Sequence, residues 1–172
     1  MCIGLAGTAR AQTVTGGVKA GGIVTTVSSP AVDGTRAGVT LGGFVMVPVS
    51  ARWSLQPELL FVQQRERVAT IGGGATTRER DDLDIPLSLR RQFGGGAVRP
   101  YMLISPSLII RLRTQNPGLS EPVRFSSGLA IGGGVERGQW LVEGSLKRFS
   151  IGSSSTGTTT RAGISILAGR RF

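Results

Sequence analysis

Asp82 and Asp84 stand two residues apart in the segment DLDIPLSLRR, interleaved with Leu83, Ile85, Leu87 and Leu89. In an extended chain successive side chains point to opposite faces, so the two carboxylates share one face and the aliphatic residues the other. Two close carboxylates can share a proton and divide acid and base roles, which makes this pair the best enzymatic candidate in the chain. Little else supports chemistry. The sequence contains no histidine and one cysteine, Cys2, so a histidine-based triad or metal site and an intrachain disulfide are excluded. No cofactor or metal is expected, and without an activated nucleophile the pair makes a poor hydrolase.

The same alternation places further charges. Lys19, Glu58, Arg90, Arg111, Glu136, Glu143, Lys147 and Arg161 fall on the polar face of segments whose other face is apolar. Together with Asp82 and Asp84 they form a set of both signs. If these faces line a water-poor interior, the charges must pair and hydrogen-bond, and the set reads as a structural charge network rather than as a catalytic centre.

The period of two recurs along the chain. Strands are predicted over 14–24, 37–47, 53–65, a hairpin over 82–112, 123–136, 140–149 and 160–172, eight in all. In the second arm of the hairpin Met102, Ile104, Pro106, Leu108, Ile110 and Leu112 oppose Tyr101, Ser105, Ser107, Arg111 and Arg113. That is about ten residues of alternation, the length of a tilted strand that crosses a bilayer. Pro57, inside the third strand, lacks a ladder donor and predicts a bulge or relaxed pairing. Small residues at Gly128, Ala130, Gly132 and Gly134 predict room on the inner face of the sixth strand for long side chains from its neighbours.

Connections alternate. Polar, glycine-rich stretches at 25–36, 68–77, 114–122 and 152–159 read as long loops, and short turns join the other strand ends. The fold class expected is all-β: an eight-stranded antiparallel up-and-down transmembrane β-barrel with short periplasmic turns and longer extracellular loops. Trp53, Phe93, Tyr101, Trp140 and Phe172 fall beside the short turns and Phe61, Phe125 and Phe149 near the long loops, as two interfacial girdles require.

Length and composition agree. A chain of 172 residues is one domain, and it has no run of about 18 apolar residues for a spanning helix. Residues 1–11 end in Ala9-Arg10-Ala11, the small-x-small pattern of a secretory cleavage site, and read as the remnant of a signal peptide ahead of a single domain over 12–172. Net charge is +10 with a pI near 11.6, but the basic residues gather near strand ends instead of forming one stripe, so nucleic acid is not an expected partner.

LQPELLF, DDLDIPLSLR, FGGGAVRPYMLISPSL, GLAIGGGVE and the terminal AGRRF resemble, in order and at hairpin spacing, the PorT-like family of small eight-stranded outer-membrane β-barrels. The resemblance implies the bacterial outer membrane as location, reached through the periplasm, and Phe172 as the terminal signal read by the barrel assembly machinery. It hands over no mechanism.

Three functional readings follow. The first is a structural or surface-interaction barrel whose lumen is filled by side chains and is no diffusion pore. A basic collar of Arg65, Arg67, Arg78, Arg80, Arg111, Arg113, Arg124 and Arg148, with Arg161, would then meet lipopolysaccharide phosphates, and the loops could meet an extracellular partner. The second is a soluble lipocalin-like barrel holding a small apolar ligand, which needs an apolar interior and a polar exterior. The third is a membrane enzyme acting on lipid.

Overall fold

A computed structural model describes residues 13–29, 32–69, 75–115, 124–150 and 160–172. Residues 1–11 lie outside them, as do the side chains of Arg67, Arg78, Arg113 and Arg124.

The described residues form eight strands: β1 (Thr15–Ser29), β2 (Val32–Pro48), β3 (Trp53–Ala69), β4 (Ala75–Gln92), β5 (Val98–Gln115), β6 (Arg124–Arg137), β7 (Trp140–Ser150) and β8 (Thr160–Arg171). Each pairs antiparallel with its neighbour in sequence, and β8 closes on β1 from Gly17↔Arg171 to Ser28↔Thr160. The sheet is a closed barrel without free edges. Alternation dictates what goes where: outward positions carry Val39, Leu41, Leu87, Ile104, Leu129 and Ile166, and inward ones carry Lys19, Glu58, Ser88, Arg90 and Glu143.

The strands are longer than the sequence suggests. β1 to β5 run 15–18 residues, against 11–14 for β6 to β8. Segment 25–36, read as a loop from its Ser, Pro, Asp and Gly content, is largely ladder, since β1–β2 pairing continues to Ser29↔Val32. Segment 68–77 is shortened in the same way, because β3–β4 pairing reaches Ala69↔Ala75. The outward residues become polar at Gln63 and Asp81, which face one another. Beyond them the β3–β4 hairpin continues as a polar extension of the barrel wall.

At the other end the turns are tight. Arg137 and Trp140 are joined by Gly138 and Gln139, and only Gly138 has positive φ (60°), the pattern of a type II′ hairpin, which requires glycine at its first position. The ladder loosens at Pro57 as expected: β2–β3 pairing stops at Phe44↔Glu58 and resumes at Val47↔Leu55 in the same register, a gap and not a bulge. The bulge lies elsewhere. Asp81 pairs with Arg113 and Asp82 with Arg111, leaving Leu112 as the extra residue of β5.

Candidate functional site

The lumen is the candidate site, and its side chains form layers along the axis. Nearest the short turns, Glu136 Oε1 lies 2.7 Å from Arg90 Nη2, while Arg99 and Arg171 approach the same carboxylate at 3.7 Å each. Arg90 stacks on Tyr101, its guanidinium carbon 3.6 Å from the ring centroid. Phe44, Met46 and Leu141 pack beside this layer as a buried apolar cluster.

Next comes a two-carboxylate layer. Lys19 Nζ sits 2.7 Å from Glu58 Oε2 and 3.0 Å from Glu143 Oε1. Glu58 Oε1 also accepts from Gln56 Nε2 at 2.9 Å and from Ser88 Oγ at 3.0 Å, and Tyr101 OH donates to Glu143 Oε2 at 3.1 Å. Each of the four oxygens of the two acids therefore has at least one donor, which is what holding charge in a dry interior requires. Tyr101 ties the first two layers together, and β6 makes room for it: a Cβ on Gly134 would come within 2.6 Å of the Tyr101 hydroxyl.

Toward the loop end Lys147 Nζ pairs with Asp84, and Arg80 Nε pairs with Asp82 Oδ2 at 2.7 Å, with Arg111 Nε at 4.0 Å from the other oxygen. The two aspartates are thus divided between different cations, not set to share one proton. Arg161 lines the cavity beside Asp82, and the charges of Arg80, Arg36 and Arg111 bear on it. Ile23, Leu60, Val62, Leu103, Ile109 and Leu167 fill the wall between the charged layers. Two cavities, of about 30 and 40 Å³, share Ile23, Val62 and Asp84 in their walls, room for a few waters each.

Several sequence expectations need correction. Tyr101 does not join a girdle: it is 2% exposed and points into the lumen, as its parity with Ser105 requires. Phe149 lines the loop-end cavity, with Lys147 Nζ 5.4 Å from its centroid. Arg80 and Arg111 do not face outward as part of a collar, because their partner Asp82 lies inside. Arg65 and Arg148 do face outward, Arg65 pairing with Glu79 at 3.0 Å on the protruding hairpin. Buried Arg36 was missed, although it continues the parity of Thr40, Phe44 and Met46 along β2. The ties of Arg99 and Arg171 to Glu136 depend on register and not on alternation: Arg99 faces Glu136 across the β5–β6 ladder, and Arg171 reaches it from β8.

No family model matches this chain, and no curated protein matches it. Solved structures do. Neisserial surface protein A is similar over 94% of this chain and 100% of its own, at TM-score 0.65 and 15% identity. The outer-membrane enzyme PagL matches over 90% of this chain and 98% of its own, at TM-score 0.57 and 14% identity. Ail, the attachment invasion locus protein of Yersinia pestis, solved in complex with the heparin analogue sucrose octasulfate, matches over 94% and 100%, at TM-score 0.52 and 16% identity. The fold is that of the small eight-stranded outer-membrane barrels. At these identities the likeness reaches the fold and stops there.

Proposed function

We propose that this protein is an integral outer-membrane barrel with a structural or surface-interaction role, closed to diffusion and presenting its loop end to the exterior. One observation carries the reading: the barrel is apolar outside and charged inside. Val39, Leu41 and Ile166 are each more than 60% exposed, while Lys19, Arg90 and Glu136 are at most 2% exposed. In water this arrangement leaves a continuous apolar band exposed far beyond what a soluble monomer tolerates, whereas in lipid it matches the solvent. A lipocalin-like barrel requires the reverse.

The filled lumen argues against a pore. Ion pairs cross it at three heights, and eight strands enclose only enough space for side chains. The likeness to PagL is one of fold, and a structural reading of the lumen draws support from the separate cationic partners of Asp82 and Asp84. The surface role draws support from two similar proteins, a Neisserial surface protein and an attachment protein. Kinship with the PorT-like barrels rests on the five segments quoted above.

The test is migration on an unboiled detergent gel. A closed membrane barrel resists the detergent and shifts its mobility on boiling. Identical mobility before and after boiling, with recovery in the soluble fraction after a salt wash, would overturn the reading.

A further inference from the structure

The short-turn end carries a second, less neutralised set of cations. Arg52, Arg91, Arg99, Arg137, Arg170 and Arg171 gather there, and Glu136 is the acidic residue among them. Arg99 and Arg171 turn toward Glu136, which Arg90 already occupies. The other four are exposed and pair with no carboxylate among the described residues. At the loop end, by contrast, Glu79 and Asp82 meet Arg65 and Arg80 directly.

Two of the four are held against aromatic rings. Arg91 lies across the ladder from Trp53, its guanidinium carbon 5.4 Å from that ring and 5.3 Å from Phe93. Arg170 lies opposite Trp140, 5.6 Å from its ring, and Gln139 Oε1 accepts from its Nε at 3.3 Å and its Nη2 at 3.2 Å. Exposed Trp and Phe at the edge of an apolar band sit at the level of lipid headgroups. These cation–π contacts bias the two guanidinium forks, ahead of binding, toward the depth of lipid phosphates, with donors left for two parallel hydrogen bonds to phosphate oxygens.

We propose that Arg52, Arg91, Arg137 and Arg170, with Trp53, Phe93 and Trp140, form a belt that binds the phosphates of anionic phospholipids in the leaflet on the short-turn side. The proposal rests on the membrane reading above and adds a lipid class and a leaflet to it. An acidic soluble partner fits the charge but gives the aromatic rings no role.

The chain supplies its own reporters, since its two tryptophans, Trp53 and Trp140, both lie in this belt. The barrel is folded into vesicles of phosphatidylcholine and phosphatidylglycerol in which bromine, a tryptophan quencher, is carried by one lipid or by the other. Bromine on phosphatidylglycerol should quench as though that lipid were enriched about fivefold over its mole fraction, the preference that roughly 1 kcal/mol from an arginine at an anionic surface supplies. Raising the salt toward 1 M, where the Debye length falls to about 3 Å, should reduce the enrichment. The variant carrying Arg52→Gln, Arg91→Gln, Arg137→Gln and Arg170→Gln should follow the mole fraction. Quenching of the wild-type barrel that follows mole fraction at low salt, or enrichment that survives in the variant, would overturn the belt. Absence of quenching by either lipid is a different result, which would overturn the membrane reading and the belt with it.

Discussion

Lys19 and Glu58 meet in the middle of the lumen, Nζ to Oε2 at 2.7 Å, with both side chains at most 3% exposed. Lys19 is the cation shared by Glu58 and Glu143, so it holds two strands of opposite barrel walls to β1. Removing one partner of a buried ion pair leaves an uncompensated charge. Lys19→Met strands two carboxylates and should cost about 3–5 kcal/mol in urea unfolding. Adding Glu58→Gln and Glu143→Gln to that variant should recover part of the loss, because neutral amides no longer repel one another. A triple variant less stable than Lys19→Met would contradict the layer as described.

The two faces of β4 differ by one residue. Leu87 is 47% exposed on the outside, whereas Ser88, 1% exposed, donates to Glu58 and lies 2.6 Å from Ser105 Oγ. Leu87→Arg places a charge on the lipid face and should cost roughly 2–4 kcal/mol in vesicles near the bilayer midplane. The cost should shrink in detergent micelles, where the head reaches water more easily. Ser88→Ala should cost roughly 1–3 kcal/mol in both media, since the lost hydrogen bond is internal. Equal costs for Leu87→Arg in the two media would remove the lipid from the explanation.

The loop end offers a comparison between outward and inward arginines. Arg65 and Arg148 point outward, while Arg80 and Arg111 point to Asp82 in the lumen. If lipopolysaccharide phosphates are gripped from outside, Arg65→Gln with Arg148→Gln should reduce the lipopolysaccharide that co-purifies and flatten its salt dependence. Arg80→Gln with Arg111→Gln should leave co-purification near wild type. The reverse ranking would move the anion contact from the outer wall to the mouth of the lumen.

What the sequence made legible follows from what a barrel repeats. The period of two sorts each strand into an outer face and a lumen face, so the number of strands, their order and the inward set from Lys19 to Arg161 could be read one strand at a time. Partners could not, because they depend on register. Lys19 and Glu143 are 124 residues apart and meet only after seven hairpins have fixed their heights. Composition misled where pairing overrides it: Ser28, Ser29 and Asp33 are poor strand formers, yet they belong to the β1–β2 ladder. Position near a strand end also gave height without direction. For Tyr101 and Arg80 it marks the right end of the barrel and the wrong side of its wall, although parity with Ser105 and Asp82 turns both inward.

The last strand links finished structure to assembly. Phe172 N donates to Gly16 O at 3.0 Å, and the side chain is 75% exposed on the outside. Deleting Phe172 removes one backbone hydrogen bond beyond the seam and one aromatic from the interface, while the β1–β8 pairs from Gly17↔Arg171 to Ser28↔Thr160 remain. A single hydrogen bond contributes about 0.5–1.5 kcal/mol net, so the folded barrel should unfold at nearly the wild-type urea concentration. Assembly should suffer more if, as the resemblance to outer-membrane barrels implies, the terminal aromatic is the element that the assembly machinery reads. Pulse-chase measurement of trypsin-resistant barrel in cells should show the deletion variant maturing several times more slowly. Wild-type maturation with a lowered urea midpoint would instead make Phe172 a structural clasp on Gly16 and not a targeting element.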